Sequence, residues 1–473
     1  MKMKTQPTMM GLMAVVALLS GVAAAADPPD AGHRNRPEQI RALDRQHRDA
    51  FGDSPDHLVL PGLLADRSRQ QVTFYAEATD VSDTDPVEFF LIGPESGHGY
   101  EAAAMAHVKP GHLRRGLVFL GMQPGRPVDF GALRFWPKGE RVVAHCAWKE
   151  AEGGMRRVRL EQLVVDRADG KPLPASGLVF TGSQFVAPPG PDAGTNRVLA
   201  ADVYDPFSIA ANYNEPASLL DVPRQAVQGD VYRDQTLNAN LQLPTNRLLT
   251  ITLQPEFTNG HQRVMDVTLE VAAGADDDSG AKLDDLSFTL RRGSTPLAAQ
   301  AELADVVRTF QSLVEKQHDP FVTFMPGPDV CLVALRTISR VLRGLEGENG
   351  IRMEPPPAGH LYYRAFDPPE AYKDREERIS QPWELKLRHA GGELAATLVH
   401  IEQLWTDDSL RPDLEIEELP VPTPGDTAGI LASRENDLSV ILVYAPADVT
   451  YGQLMQYVRP VLERYAIIHV FVE

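Results

Sequence analysis

The sequence has little cysteine and lacks the short motifs that would name a reaction. Only Cys146 and Cys331 occur among its 473 residues, which excludes a disulfide-rich scaffold. There is no Cys-x-x-Cys pair, and therefore no thioredoxin-like or haem-attachment motif. Two alternatives remain for these cysteines: both are buried thiols, or they form a single disulfide bridge in an oxidising compartment.

Three glycine-containing segments fall short of known catalytic or ion-binding loops. Gly93–Gly99 ends without the Lys-Ser or Lys-Thr of a phosphate loop. Thr181-Gly-Ser183 lacks the Gly-x-Ser-x-Gly elbow of hydrolases. Asp276–Gly280 misplaces the glycine of a calcium loop and has no glutamate twelve residues after its start. These segments are typical of solvated turns, so the signal for catalysis is weak.

Positive charge is also scarce. The chain has 46 Lys and Arg residues against 65 Asp and Glu residues, which gives a formal net charge of −19. The acidic residues are spread along the chain and form no tail. Such a surface repels nucleic acid and anionic lipid, so neither is expected as a partner.

Long apolar runs are confined to the first residues, where the pattern is that of a secretory signal peptide. Lys2 and Lys4 precede an apolar run from Gly11 to Gly21, and Ala24 and Ala26 supply small residues before a cleavage site. The run is shorter than the roughly 20 apolar residues of a membrane span; a buried N-terminal helix is the alternative. We expect residues 1–26 to be removed and the protein to be exported to the periplasm or the extracellular space, without stable membrane insertion.

The predicted fold class is α+β, with a strand-rich N-terminal domain followed by two β-α-β modules. Residues 27–55 are polar and predict a linker or a loosely docked helix. Residues 56–228 alternate strands with Gly- and Pro-rich turns, and a helix is predicted from Pro110 with Leu113, Leu117 and Leu120 on one face. Residues 229–382 and 383–473 are assigned to the two modules.

Candidate site residues cluster within 15 positions: His98, Glu101, His107 and His112. Imidazole and carboxylate groups are metal ligands and acid–base groups, but these spacings fit no known zinc pattern. Strand alternation places the side chains of Glu101 and His107 on the same side of the strand. His98 and His112 fall outside this alternation. Solvated turn and edge residues are the alternative, so no metal or cofactor is expected.

Several aromatic residues lie near polar turns, as the walls of a ligand groove would. They are Trp136, Trp148, Tyr204, Phe207 and Tyr213. Core or sheet-face packing is the more common role of aromatic residues at such intervals.

Four ordered blocks in the first domain resemble the YdjY-type domain, a family of exported bacterial proteins without an assigned activity. The blocks are Tyr100-Glu-Ala102, Val108–Gly125, Asp166–Pro174 and Gly177–Ser183. The resemblance covers roughly residues 56–225. The family has His-Glu where this chain has Tyr100-Glu101, so no role of that histidine transfers here.

The second half contains an internal repeat with a constant offset of 119 residues. His318–Met353 aligns without a gap with Asp437–Val472, which pairs Leu335 with Leu454 and Ile351 with Val470. Each copy predicts strand, Pro-containing turn, helix and strand. A preceding helix is predicted to open at Thr295-Pro296 in the first copy and at Thr423-Pro424 in the second.

The second copy, from Ala447-Asp-Val-Thr-Tyr-Gly452 to the terminal strand His469–Val472, resembles the periplasmic domain of ExbD/TolR proteins. In that family a buried strand leads through an Ala-Asp…Tyr-Gly turn to a helix and a terminal strand. The resemblance covers about 90 residues per copy and is weaker in the first. The transmembrane helix with an ionisable residue that drives those proteins is not expected here, so the resemblance implies the fold and an envelope-binding role without the motor.

These observations favour a soluble, exported, non-catalytic binding or adaptor protein of the bacterial cell envelope, with an envelope protein or cell-wall component as partner. The alternative is a metal-assisted hydrolase that uses Glu101 with His98, His107 or His112. A structural module of a larger assembly is a third interpretation. The sequence leaves the oligomeric state open.

Overall fold

A computed structural model describes residues 36–150, 153–189, 196–245, 247–274, 283–375, 383–405, 411–433, 440–462 and 467–473. The predicted signal peptide and the Asp276–Gly280 segment lie outside these described residues. Within the described part of the chain, no helix is long and apolar enough to cross a membrane.

The predicted linker carries a docked helix, α1 (Arg36–Phe51), in which Ile40 is buried. Charged side chains fix it to the domain that follows. The Arg36 guanidinium pairs with the buried Glu77 carboxylate, and Asp44 accepts a hydrogen bond from Gly62 N at 3.0 Å. Because these contacts are buried, α1 belongs to the first domain.

The first domain is built mainly of short strands. Its other elements are β1 (His57–Leu60), β2 (Leu63–Asp66), β3 (Gln71–Ala78), β4 (Phe89–Ile92), β5 (Ala102–Ala106), α2 (Pro110–Phe119), β6 (Arg141–Lys149), β7 (Met155–Arg159), β8 (Val164–Asp166), β9 (Leu178–Phe180), β10 (Phe185–Val186), β11 (Val198–Leu199), α3 (Ala200–Val203), β12 (Ser208–Ala211), β13 (Leu220–Asp221), α4 (Gln228–Asp234), β14 (Gln235–Leu237) and β15 (Leu249–Pro255).

Eight of these strands form a closed ring, which we call the barrel. Their order is β3-β15-β6-β9-β13-β12-β4-β5, and β5 pairs with β3 to close it. Neighbours are antiparallel except for β12–β13 and β4–β5. Closure removes the open edges that a sheet of this length would otherwise present.

The barrel core follows from strict alternation in the long strands. Every second residue of β6 from Val142 to Trp148 is buried, as are Leu249, Ile251 and Leu253 of β15. The predicted helix at Pro110 is confirmed as α2, and its Leu113 and Leu117 join the same core.

The first domain extends further than the predicted boundary at residue 228. Strand β15 lies between β3 and β6 and is hydrogen-bonded to both, while β14 pairs with β8. Residues 229–255 therefore belong to the barrel and not to the first module. The boundary was wrong because β15 pairs with strands more than 100 positions earlier, a contact that local patterns do not reveal.

Two five-stranded sheets follow, one in each predicted module. The first module contains β16 (Val264–Ala273), β17 (Leu286–Arg292), β18 (Thr295–Ala301), α5 (Leu303–Glu315), β19 (Asp319–Pro326), α6 (Leu332–Leu345) and β20 (Arg352–Met353). The second contains β21 (Trp383–Ala390), β22 (Glu393–Leu404), β23 (Asp413–Val421), α7 (Asp426–Ala432), β24 (Val440–Ala445), α8 (Tyr451–Val458) and β25 (Ile467–Val472).

The two sheets have the same strand order and the same strand directions. The orders are β18-β17-β16-β19-β20 and β23-β22-β21-β24-β25. In each, the first three strands in sequence form an antiparallel meander and the last two add in parallel.

The helix predicted at Thr295-Pro296 is wrong, because Thr295–Ala301 is the edge strand β18 and the helix begins at Leu303. Proline is tolerated on an edge strand, so the Thr-Pro pair does not discriminate between the two structures. At the second position the prediction was close: α7 begins at Asp426, whose carboxylate accepts hydrogen bonds from Thr423 N and Oγ1 at 3.0 and 2.7 Å.

The two modules share one hydrophobic core, which includes residues of both sheets. Leu335 of α6 and Leu454 of α8 are both fully buried in it, as predicted. Ile338, Leu342, Val458 and Val461 are buried in the same two helical segments.

Reciprocal backbone bonds join the turns that precede α6 and α8. The four bonds run from Leu332 N to Val449 O (2.9 Å), from Tyr451 N to Val330 O (2.8 Å), from Val333 N to Ala447 O (3.2 Å) and from Gly452 N to Pro328 O (2.7 Å). The first two bonds correspond to each other under the 119-residue offset of the sequence repeat, and so do the last two. In each pair, the donor of one bond is shifted forward by the offset and its acceptor back by the same number to give the other bond. At the centre, Cys331 and Thr450 form an antiparallel bridge, and these two positions also correspond. The modules therefore meet through equivalent surfaces, as the subunits of a two-fold dimer do.

A buried ionic cluster joins the barrel to the first module. Asp319 at the start of β19 contacts Arg141 of β6 at 3.1 Å, Arg352 at 3.0 Å and Arg263 at 3.2 Å. These arginines hold the pKa of Asp319 below its usual value against the effect of burial.

Both cysteines are buried and no disulfide joins Cys146 to Cys331, so the bridge that the sequence left open is not formed. Cys146 lies in β6 of the barrel, where burial raises the pKa of its thiol to about 12. Cys331 lies at the junction of the modules.

Candidate functional site

A histidine–glutamate pair lies at the end of the barrel where β5 begins. Glu101 closes a short 3-10 helix, Gly99–Glu101, that leads directly into β5. His98 Nδ1 and Glu101 Oε1 are hydrogen-bonded. The histidine side chain is 33% exposed and the glutamate side chain 10%, so the pair reaches from the surface inward.

A second carboxylate supports this pair from the surface. Asp205 Oδ2 lies 3.8 Å from His98 Nε2, and the Ser96 hydroxyl donates to Asp205 Oδ1 at 2.8 Å. Tyr100, which is 64% exposed, brings its hydroxyl to 3.3 Å from His98 Nδ1. Both imidazole nitrogens therefore face oxygen atoms.

Glu88 directly precedes β4, and Glu101 directly precedes β5, the strand that pairs with β4 in parallel. The backbone N–H of Glu88 donates to Glu101 O at 2.8 Å, and its carboxylate accepts from Gln228 Nε2 at 2.8 Å. Burial raises the pKa of Glu88, and the Glu101 charge raises it further.

Glu215 contributes a third carboxylate from the loop between β12 and β13. Burial raises its pKa to about 7, with a smaller contribution from the Glu88 and Glu101 charges, against the hydrogen bond from Ser208. The residue is partly exposed, but its Oε2 is buried and has no hydrogen-bond partner among the described residues. Near neutral pH this carboxyl group can therefore hold or release a proton.

Aromatic and acidic side chains complete the surroundings. Tyr213 packs edge-on against Phe89, with ring centroids 5.7 Å apart. Burial and the carboxylates around it, first Glu215, keep the pKa of Tyr213 well above its usual value. Asp221 is completely buried and accepts from Asn214 Nδ2 at 3.1 Å. Burial raises the pKa of its carboxyl group.

The other two predicted histidines do not join this group. His107 lies at the far end of β5, roughly 15–20 Å from Glu101 at the rise of an extended chain. Its Nε2 contacts Glu77 at 2.6 Å. His112 lies in the first turn of α2, and its Nδ1 is buried without a hydrogen-bond partner among the described residues. Of the four candidate residues, the structure therefore brings His98 and Glu101 into contact and places His107 and His112 elsewhere, because residues spaced along an extended strand are separated in space.

Of the residues predicted to line an aromatic groove, Tyr204 and Tyr213 lie near the His98–Glu101 pair, and Trp136 and Trp148 do not. Tyr204 directly precedes Asp205, and Tyr213 interacts with the buried carboxylates. Trp136 instead donates its indole N–H to Glu346 at 2.8 Å, at the contact with the first module. Trp148 is buried in the barrel core.

Sequence reasoning missed Glu88 and Glu215. Glu88 carried a usable signal, because it is the single charged residue in the otherwise apolar segment Val87–Ile92. A charge in such a segment indicates a buried, functional or paired carboxylate. Glu215 lies in a Pro-containing turn, where no local pattern distinguishes it from a solvated residue.

The arrangement suits proton exchange and the recognition of hydrogen-bond donors. Carboxylates accept hydrogen bonds, and a histidine in contact with a carboxylate can carry or pass on a proton. Among the described residues, no group of three or more His, Cys, Asp and Glu side chains is placed to hold a metal ion.

Comparison with known proteins gives no relative for this chain. No family model, no curated protein and no solved structure matches it.

Proposed function

We propose that this chain is an exported, non-catalytic binding or adaptor protein of the bacterial cell envelope. The observation that carries the proposal is the site around His98 and Glu101. Its outer residues, Tyr100, Asp205 and His98, lie against one another at the surface. The Oε2 atom of Glu215 has no hydrogen-bond partner in the part of the chain that the structure describes. Such a site is prepared to receive hydrogen-bond donors.

The module pair supports an adaptor role. In the second module the buried strand β24 leads through the Ala447–Thr450 turn to α8 and the terminal strand β25, which is the order of elements that the ExbD/TolR resemblance implies. Together with the shared topology and the reciprocal bonds, this favours two copies of one unit related by the 119-residue repeat. We accordingly retain the ExbD/TolR likeness, and the YdjY-type likeness of the barrel, as proposals.

Among the described residues, no contact favours the alternative, a metal-assisted hydrolase. Its candidate ligands are divided between two ends of β5, since Glu101 contacts His98 and His107 contacts Glu77.

A pull-down from cell-envelope extract tests the proposal. The mature chain is immobilised beside a His98→Ala/Glu101→Gln double variant and an Asp83→Asn control, which changes an exposed carboxylate of the same domain. We expect the wild type and the control to retain the same component and the double variant to lose most of it.

A turnover screen on model esters, amides and glycosides accompanies the pull-down, and we expect no activity. If the wild type retains nothing while a substrate is turned over at a rate that Glu101→Gln abolishes, the adaptor proposal fails.

A further inference from the structure

Helix α2 presents a positively charged outer side, although the chain as a whole has a formal net charge of −19. Its inner side belongs to the barrel core, and the segment Pro110–Phe119 contains no acidic residue. Val118 follows Arg114 by four positions and Arg115 by three, so the three side chains share one face of the helix. Arg115 and Val118 are exposed. The helix therefore presents two arginines and an exposed valine on one face.

Two aromatic rings beside this face each lie under an arginine. The Cζ atom of Arg114 is 5.3 Å from the ring centroid of Phe185, which is 44% exposed. The Cζ atom of Arg67 is 4.2 Å from the ring centroid of Phe119, and its Nε donates to Phe119 O at 3.2 Å. Arg197 donates a hydrogen bond to Phe185 O. These contacts join four arginines and two exposed apolar side chains into one surface. We call it the basic patch, and it consists of Arg67, Arg114, Arg115, Val118, Phe185 and Arg197.

Within the part of the chain that the structure describes, none of these four arginines forms an ion pair with a carboxylate. Two acidic residues lie beside α2, and both are engaged with other groups. Asp202 accepts a hydrogen bond from Gly111 N at 2.8 Å, and Asp66 accepts one from the Ser68 hydroxyl at 2.6 Å. The Nε atom of Arg114 is buried and has no hydrogen-bond partner among the described residues. The surrounding fold therefore does not neutralise the basic patch.

We propose that the basic patch is a docking surface for an acidic peptide segment of a partner protein, in which carboxylates are interspersed with apolar side chains. The inference goes beyond the proposed function, since the basic patch shares no residue with the site around His98 and Glu101. A guanidinium has five N–H donors and binds a carboxylate through two parallel hydrogen bonds. The exposed side chains of Val118 and Phe185 offer apolar contact beside these donors.

The dimensions of α2 suit a short extended segment. The helix has ten residues and is therefore about 15 Å long. An extended peptide advances about 3.3 Å per residue, so about five residues follow the length of the helix. Side chains on one side of such a segment can meet both the arginines and the apolar positions of the patch.

The charge around the patch favours a peptide over a membrane or a polysaccharide. An anionic bilayer is broad, so it would also face the acidic surface that gives the chain its net charge of −19 and would be repelled there. A narrow peptide meets the basic patch alone. An anionic polysaccharide has carboxylates but no apolar side chains to cover Val118 and Phe185.

Fluorescence anisotropy with the mature protein tests the inference. The probe is a fluorescein-labelled peptide of about nine residues that repeats Glu-Glu-Leu, and two control peptides replace every glutamate by lysine or every leucine by serine. We expect saturable binding of the probe, at least tenfold weaker binding of the lysine peptide and severalfold weaker binding of the serine peptide. Because salt screens exposed charges, raising the NaCl concentration from about 0.05 M to about 0.5 M should weaken binding at least tenfold.

Matched arginine variants locate the binding. The patch variant Arg114→Gln/Arg115→Gln should weaken it at least tenfold. The control Arg292→Gln/Arg388→Gln removes the same charge from two exposed positions of the module pair and should leave binding within twofold. If Arg114→Gln fails to fold by circular dichroism, Arg115→Gln/Arg197→Gln carries the test against the same control.

Absence of saturable binding, equal binding by the patch variant and its control, or preference for the lysine peptide overturns the inference. Tighter binding to phosphatidylglycerol vesicles or to polygalacturonate than to the probe, lost in the patch variant, would also overturn it, since the occupant would then be a membrane or a glycan. Sedimentation that shows self-association of the wild type but not of the patch variant would identify a second copy of this chain as the occupant and refute the partner peptide.

Discussion

The barrel and the module pair bury different kinds of side chain. The barrel places charged groups in its interior and at its end, among them Glu88, Glu101 and Asp221. In the described part of the module pair, the buried charged side chains are Asp319, Arg352 and Glu384, and each has an ion-pair partner. Burying a carboxylate without an opposite charge reduces stability. Glu88 and Asp221 are held by amide hydrogen bonds from Gln228 and Asn214 rather than by ion pairs, and this difference is why we place the proposed binding site in the barrel.

The two regions also differ in whether their sheets have open edges. The barrel joins its first and last strands, whereas each module leaves edge strands and covers one face with helices that meet in a common core. The modules therefore depend on packing between equivalent helices. Substitutions in that core are expected to have the largest effects on stability.

Leu335→Ala and Leu454→Ala provide the strongest test of the module pair. Both leucines are fully buried, and truncating a buried leucine to alanine costs about 2–5 kcal/mol. Because the positions are equivalent and share one core, we expect both variants to lower the same unfolding transition by similar amounts. Urea denaturation followed by fluorescence and circular dichroism measures this.

Val118→Ala is the control for these variants, since Val118 is 40% exposed and should change stability by under about 0.5 kcal/mol. If one leucine variant behaved like the control, or if the two lowered separate transitions, the modules would not form one packed unit.

The pH dependence of stability tests the barrel site. The folded-state pKa of Glu215 is raised to about 7, above its value in the unfolded chain. Its protonated form therefore supports folding below about pH 4.5, and this contribution is lost as the pH rises to about 7. Relative to Glu215→Gln, which cannot ionise, the wild type should lose about 1–3 kcal/mol between pH 5 and 8.

Urea denaturation of both proteins at the two pH values gives this difference, because Asp221 and Glu88 are common to both and largely cancel. A wild type that gained stability relative to Glu215→Gln as the pH rose would mean that Glu215 is paired with a cation of the chain itself.

Gly452→Ala tests the contact between the turns that precede α6 and α8, and its expected effect on stability is smaller. A Cβ at this position would lie 3.0 Å from Pro328 O and 3.1 Å from Pro328 Cβ, so the two turns must separate slightly. We expect a net loss of about 1 kcal/mol, although alanine favours a helix by about 1 kcal/mol over glycine.

Gly344→Ala in α6 is the matched control, because a Cβ there meets nothing within 4 Å. It should stabilise the protein by about 0.5–1 kcal/mol. Thermal denaturation of the two variants should give shifts of opposite sign. Equal stabilisation by both would show that the turns do not approach closely.

The sequence predicted the modules better than the barrel site for a physical reason. The 119-residue offset, the Pro-containing turns and the leucine spacing of α6 are local patterns, and the strands and helices that they predict are present in both sheets. The barrel closes through pairs such as β3 with β15, whose residues are distant in sequence. The Glu215 loop comes near Glu101 through the pairing of β12 with β4 and of β4 with β5, and no local pattern predicts the pairing of β12 with β4. His107 lies apart from Glu101 because the extended chain of β5 separates them, and its contact is with Glu77.

His98→Gln has the smallest expected effect on stability and separates the two regions most clearly. The His98 side chain is one-third exposed, and glutamine keeps a donor for Glu101, so the loss should be under about 1 kcal/mol, as for other partly exposed ion pairs. Retention of the envelope component should nevertheless fall at least severalfold, because the imidazole that pairs with Glu101 is removed from the site. Thermal denaturation and the envelope pull-down on the same preparation measure both quantities, with His107→Gln as the control that alters a histidine–glutamate pair away from the site. A His98→Gln variant as unstable as Leu335→Ala would mean that the pair holds the barrel together, and the division between a recognising barrel and a supporting module pair would fail.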